Sequence, residues 1–357
     1  MKSKRLKSII VMGTLSFLIL TMSACGKQNT ASASNSNSAS SPSKKQLVLY
    51  SAQGYDKAVA EAFQKKTGIN VKLVDDSTGM ITAKMEAERS NPHWDVAWFD
   101  GNATMQAIDN EQMLLHDWTP SDMQNFTDLG KSLIPSNKSY FPVTVTAAAA
   151  IGVNTKLMKP ADYPKDWKDL TDSKFKNGIA MNDPSTSGPT YPYVSGMLQS
   201  MGDTQGKNFY QNLKTNGLKV FPTNDNTLKA LVSGQVKVIT IQNSALINAK
   251  KSGDPVDIIY PSSGVFTLPG VISINKNAPD MDAAKQFVEY CLSPEGQSVM
   301  LDPKNGGGDS YFNPVIKGVQ ANKEALTTDV KWITTDPIAA AKNEKDIKKW
   351  FHDNILQ

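Results

Sequence analysis

Arginine is almost missing from this chain of 357 residues: Arg5 and Arg89 are the only two. Cysteine is equally scarce (Cys25 and Cys291), and there are three histidines. Each shortage excludes something. Two cysteines, one of them beside the leader segment, build neither a disulfide framework nor a thiolate metal cluster. Anions cannot be held here by guanidinium forks, the usual bidentate partners of phosphate and carboxylate. His93, His116 and His352 form no HExxH pair, and the chain has no Gly-x-Ser-x-Gly elbow and no phosphate P-loop. No nucleophile with an activating partner is legible, so the chain reads as a non-enzyme without a cofactor. A basic excess is missing as well. The net charge of +4 comes from Lys2, Lys4, Arg5 and Lys7; taking those four from the 38 basic residues leaves 34 against 34 acidic ones. A neutral body gives no electrostatic case for a nucleic-acid partner. What remains, 39% hydrophobic and 20% charged residues, is the balance of an ordinary globular protein long enough for two lobes.

No apolar run reaches the roughly 20 residues of a spanning helix; the longest, from Ile9 to Met22, has about 14. It follows a basic start and precedes Met22-Ser23-Ala24-Cys25, which makes residues 1–24 an export signal. A cysteine directly after Ser-Ala resembles a bacterial lipobox, and that resemblance implies diacylation of Cys25 as the mature N-terminus. Residues 25–45, rich in Ser and Asn with no apolar periodicity, have nothing to bury and read as a flexible tether. Cys291, spaced with Phe287, Val288 and Leu292 on one helix face, reads as a buried spectator.

From Gln46 onward, strands alternate with helices. Leu47–Tyr50, Ile69–Val74 and Asp95–Phe99 read as strands, with helices over Ala58–Phe63, ending at Thr67-Gly68, and over Met80–Arg89. A second series follows: strands at Gly178–Met181, Leu218–Phe221 and Val236–Ile241, with helices at Gly188–Met201 and Thr227–Ser233. Tyr140–Asn154 and Asp257–Tyr260 read as crossings between two lobes, and Gly270–Ile274 with a helix from Met281 completes the first. The fold class is α/β with parallel-rich sheets. The lobe boundaries are 46–145 with 260–357, and 146–259. In such sheets ligands sit outside the carboxyl ends of the strands.

Val48-Leu49-Tyr50-Ser51-Ala52, Ala62-Phe63-Gln64-Lys65-Lys66-Thr67-Gly68-Ile69-Asn70-Val71, Asn91-Pro92-His93-Trp94-Asp95-Val96, Gly152-Val153-Asn154-Thr155 and Ala284–Gln297 together resemble the extracellular solute-binding proteins of bacterial ABC importers. The similarity is to the branch that includes ferric-iron, phosphonate and sugar-phosphate binders. It implies a two-lobe, type-II periplasmic-binding-protein fold with a hinge of crossing strands. It also implies a monomer that closes on a small solute and delivers it to a membrane permease from the outer face of the cytoplasmic membrane, or from the periplasm where there is an outer membrane.

The candidate ligand residues lie at the strand ends: Ser51 and Gln53, Ser77 and Thr78, Asp100 and Asn102, Ser185, Thr186 and Ser187, Asn226, and Asn243 with Ser244. Hydroxyls and free amides where helices begin favour an anion, although the same residues are ordinary helix caps. Asp75, Asp76 and Asp100 would repel a bare dianion and suit a zwitterion with an ammonium group. An aminoalkylphosphonate-like or phosphorylated solute is therefore expected. Iron is the alternative, with Tyr55 and Tyr191 near the family's tyrosine ligand positions. Asn243-Ser244 stands where iron binders carry adjacent tyrosines, which leaves too few phenolates. Tyr311, after Gly306-Gly307-Gly308, is expected on a surface loop near the rim.

Overall fold

The computed structural model describes residues 46–325 and 330–357; the signal peptide, the tether and Cys25 lie outside them. The first βαβ series runs β1 (Gln46–Ser51), α1 (Asp56–Thr67), β2 (Asn70–Asp75), α2 (Thr78–Ala87), β3 (Val96–Asp100) and α3 (Asn102–Asn110). The helix α1 stops where its pattern stops: Gly68 takes a left-handed conformation (φ 74°), and its N–H bonds the Gln64 carbonyl. A short α4 (Asp128–Ser132) leads to β4 (Phe141–Ala147) and β5 (Ala150–Asn154).

The second series is β6 (Ile179–Asn182), α5 (Thr190–Met201), α6 (Asp203–Thr215), β7 (Lys219–Phe221), α7 (Asn224–Val232), β8 (Val238–Ile241), α8 (Asn243–Lys251) and β9 (Val256–Ile259). The chain returns through β10 (Val265–Ile274), α9 (Met281–Cys291), α10 (Pro294–Leu301), α11 (Pro303–Gly306) and β11 (Asn313–Pro314). It ends with β12 (Trp332–Ile333) and α12 (Pro337–Phe351). Among the described residues no helix is long and apolar enough to cross a membrane.

Two sheets result. The first has the order β11-β4-β10-β3-β1-β2, with β12 against β10; the second has the order β7-β6-β8-β5-β9. In each, the βαβ strands are parallel (β2-β1-β3 and β7-β6-β8), and the strands that cross from the other lobe join antiparallel. The crossing through Ala148 and Ala149 matches the sequence reading. The return crossing differs: Asp257–Ile259 belongs to β9, which pairs with β5, and the chain crosses after it. The strand expected from Gly270 begins at Val265, because β4 offers partners as far back as Ala147 opposite Thr267. The helices α3 and α6, unannounced by strong caps in the sequence, are additions.

Each sheet carries its own core. In the first, the Tyr55 and Trp98 rings lie 5.3 Å apart and Phe63 meets Phe287 edge-on at 5.1 Å. Cys291 is buried there as a free thiol. The second core holds Trp167, Tyr193, Tyr210 and Phe266. Residues 330–357 do not keep to one sheet. Asp336, capping α12, exchanges two hydrogen bonds with Gln199 of α5, and Phe351 and Ile355 are buried with Tyr210 and Leu213 of the second core. The middle of α12 lies on α3 instead, where the Thr104 hydroxyl donates to Glu344 at 2.9 Å.

Local capping contributes measurably to this frame. The Asp280 carboxylate accepts the Ala283 N–H at 3.0 Å and caps α9, which packs on the first sheet. Asp280→Ala is expected to cost about 1 kcal/mol. It should be seen as a lower urea midpoint at unchanged slope.

Candidate functional site

The turns after β1, β2 and β3 of the first sheet meet those after β6, β7 and β8 of the second. At the end of β3 the Asp100 carboxylate takes two amide donors, one from each lobe: Gln53 Nε2 at 3.0 Å and Gln242 Nε2 at 3.2 Å. Gln53 in turn accepts the Tyr55 hydroxyl at 2.6 Å, and Gln242 Nε2 also reaches Thr146 Oγ1 at 3.0 Å. Beyond Gln242 the chain of bonds continues into the second lobe. Asn224 donates to Gln242 Oε1, and Asn182 donates to Asn224 and to Ser187 Oγ. The Thr227 hydroxyl closes on Asn182. No lysine or arginine takes part. A buried polar chain of this kind is stable only because each member finds a partner.

The lobes also meet directly. The Gly79 N–H, in the first turn of α2, donates to the Thr186 carbonyl at 3.2 Å. The contact is tight because both sides lack side chains. A Cβ on Gly79 would lie 2.3 Å from the Ser185 carbonyl oxygen, and one on Gly188 would lie 2.3 Å from Thr78 Oγ1. On the other flank, Gly308 packs on the Ser244-Ala245 turn of α8, and Asp309 Oδ2 accepts the Gly54 N–H at 2.7 Å.

Burial and like charge push the carboxylates up. Asp100 is raised to about 7, mainly by burial and then by the charge of Asp309, against the pull of its two amide donors. Asp309 is raised to about 6 by burial, with Asp225 of the second lobe and Asp75 adding repulsion. Asp56, buried behind Gln53, is likewise raised to about 6, chiefly by burial. Such mutual shifts mark carboxylates that share a site without counter-ions.

The expected residues divide into groups. Gln53, Asp100 and Ser187 belong to the polar chain. Thr78 faces Gly188, and Thr186 offers its carbonyl to Gly79. Ser51 is buried and accepts the Gln53 N–H, so it shapes the turn that carries Gln53. Ser77 caps α2 through the Met80 N–H, and Ser185 is exposed in a turn held by Asp183. Asn226 is exposed, its N–H bound to Thr223 Oγ1. Asn243 fixes the hinge by accepting the Ala147 N–H at 2.9 Å and donating to the Tyr260 hydroxyl. Ser244 is fully buried, and its Oγ has no partner. Asn102, the first residue of α3, borders a groove with Tyr140 and Pro337.

Tyr55 and Tyr191 are not brought together. Tyr55 packs between Trp98 and Phe312, whereas the Tyr191 hydroxyl binds the Ala340 carbonyl beneath α12. Burial holds both phenols well above their ordinary range, which works against phenolate ligation. Tyr311 is no surface residue: it is buried with Ile247 of α8 and Ala325. Sequence reasoning missed Gln242, Asn224, Asn182 and Asp309. Gln242 and Asn182 sit one residue, and Asn224 three residues, beyond strand ends it did mark. The pairing of Asp309 with Gly54, 255 residues apart, has no local signal.

A model of the bacterial extracellular solute-binding protein family matches residues 58–341. The chain belongs to that family, and it is the substrate-binding component of an ABC importer, working outside the cytoplasm with a membrane permease. Its homologues bind solutes and are not enzymes. It is 24% identical over 298 residues to a Salmonella typhimurium protein named "Putative 2-aminoethylphosphonate-binding periplasmic protein", covering 81% of this chain and 85% of that one. Among solved structures it shares the fold of the periplasmic binding protein AfuA from Actinobacillus pleuropneumoniae, with exogenous fructose-6-phosphate bound. There the TM-score is 0.79 at 24% identity, over 88% of this chain and 99% of AfuA. Iron-bound HitA from Pseudomonas aeruginosa gives 0.75 at 23% identity, over 85% and 98%.

Proposed function

We propose that the chain captures a small anionic or zwitterionic solute of the phosphonate or organophosphate type between its lobes and hands it to the permease. The observation that carries this reading is the polar chain from Tyr55 through Asp100 and Gln242 to Asn182. It links the strand ends of both lobes through hydroxyls, amides and the Asp100 carboxylate, and it contains no basic side chain. The Salmonella relative named for 2-aminoethylphosphonate and the likeness to a fructose-6-phosphate complex point the same way. A solute that touches both lobes stabilises only their closed arrangement, so binding and closure are one equilibrium.

The residues assigned to contact are Gln53, Thr78, Asp100, Ser187 and Ser244, with Ser51, Ser77, Ser185, Thr186, Asn102, Asn226 and Asn243 shaping the turns around them. Diacylation at Cys25 and the Ser/Asn-rich tether of residues 25–45 would keep a monomeric body at the membrane face. Two acyl chains suffice for stable anchoring. Native mass spectrometry of the protein isolated from producing cells tests the solute class. The expected result is a bound mass of an organic phosphate or phosphonate; a stoichiometric iron ion in its place would overturn the reading.

A further inference from the structure

We propose that Asp309, backed by Asp100, is the point at which the cleft receives an alkylammonium group, so that its solute is an amine-bearing zwitterion and not a bare phosphate ester. This rests on the reading just given and narrows it. Three observations carry it.

The first is the charge balance of the cleft. Asp309 adds its charge to Asp100, and Asp225 of the second lobe and Asp75 of the first add theirs to Asp309; among the described residues none of the four has a lysine, arginine or histidine within ion-pair distance. Among the described residues no three acidic, His or Cys side chains are grouped closely enough to hold a metal ion. The missing positive charge is therefore of a kind that does not need a tight shell of ligands. An ammonium, with three N–H donors on a point charge, fits that requirement.

The second is how Asp309 is presented. The glycines of residues 306–308 let its loop pack closely on both lobes: a Cβ on Gly306 would lie 2.8 Å from the Tyr55 ring of the first, and one on Gly308 would lie 3.3 Å from Ala245 Cα of the second. Both oxygens of Asp100 are taken by Gln53 and Gln242, whereas among the described residues Asp309 has a single side-chain partner, the Gly54 N–H on Oδ2. Its other oxygen is left to accept.

The third is Ser244. It is 0% exposed, its Oγ has no hydrogen-bond partner, and its turn packs on Gly308, next to Asp309. A buried hydroxyl is costly to leave unpaired, and this one lies in the turn on which the loop of Asp309 packs. A dianion in the same position would add its charge to carboxylates that already repel one another.

The test is calorimetry on the protein and its Asp309→Asn variant with three probes: 2-aminoethylphosphonate, ethylphosphonate and putrescine. The proposal expects 2-aminoethylphosphonate to bind roughly 100-fold tighter than ethylphosphonate, the scale of losing one partner of a desolvated charge pair. It expects Asp309→Asn to erase most of that difference while ethylphosphonate binding stays within about threefold. Equal binding of the two phosphonates would overturn the ammonium site and leave the anion reading standing. Binding of putrescine alone, weakened by Asp309→Asn, would keep the ammonium site and overturn the anion reading. Failure of both amines to bind, or an amine preference untouched by Asp309→Asn, would overturn the proposal. A melting point of Asp309→Asn no lower than that of the parent would show that its effect is not loss of fold.

Discussion

Gly79→Ala is expected to weaken solute binding by roughly 5- to 150-fold while leaving the helix that carries it intact. The reasoning separates two states of one residue. Within α2, alanine is the better helix former by about 1 kcal/mol, so the lobe that carries Gly79 gains if anything. In the closed arrangement the new Cβ would sit 2.3 Å from the Ser185 carbonyl oxygen and 3.0 Å from Thr186 Cα, both main-chain atoms that cannot swing aside. The 3.2 Å bond from the Gly79 N–H to the Thr186 carbonyl would be pried apart with them. Overpacking of this size costs ~1–3 kcal/mol, which is the quoted range at about 1.4 kcal/mol per decade. The penalty falls on the contact between the lobes, which a solute touching both of them needs, so it appears as lost affinity. Calorimetry with 2-aminoethylphosphonate measures the affinity. Small-angle scattering at saturating solute should show the variant more extended than the parent. A variant that binds and compacts like the parent would remove this contact from the closing surface.

Stability should fall as pH rises from about 4 to about 7, the reverse of the trend for salt-bridged carboxylates. Asp100 is raised to about 7 and Asp309 and Asp56 to about 6, in each case first by burial. Their unfolded values lie near 4. Between those limits the folded protein binds more protons than the unfolded chain. The stability they contribute is therefore complete below the unfolded values and is lost as pH rises through the folded ones. The three together are worth on the order of several kcal/mol across that window. Thermal melting of the ligand-free protein should accordingly give a higher midpoint at pH 5 than at pH 8, and Asp100→Asn should flatten the slope. A midpoint that climbs from pH 5 to pH 8 would contradict the burial of these groups. A cationic solute supplies the missing counter-charge, so its stabilising effect should be larger at pH 8 than at pH 5.

The arrangement also explains why the cleft is built from side chains that are individually unremarkable. Gln53, Gln242, Asn182 and Asn224 carry no charge, and each would pass for a turn residue. Joined through Asp100, they make the position of one lobe depend on that of the other. The helix α12 adds a second tie: it is fixed to the second lobe at both ends while its middle rests on α3.

What the sequence determined by itself was local or periodic. The run of Leu47–Tyr50, the Thr67-Gly68 stop, the alternation of strands and helices and the family motifs were enough for two sheets with parallel βαβ strands and a crossing at Ala148-Ala149, because those features depend on residues close in the chain; the antiparallel pairings of β4, β5, β9, β10 and β11 make the sheets mixed and not parallel-rich. They also directed the candidate residues to the strand ends, where ligands sit in sheets of this kind. The tertiary structure decided which atom at each turn faces the cleft. Thr186 contributes its carbonyl where a hydroxyl was expected, Asn243 is spent on holding Ala147, and Gln242, one residue earlier, reaches Asp100. It alone brought Asp309 to Gly54, and it moved Tyr191 away from Tyr55 to the underside of α12. The physical reason is the same in each case. A side chain's partner is set by how two separately folded sheets meet, and neither pattern nor propensity along one strand records that distance.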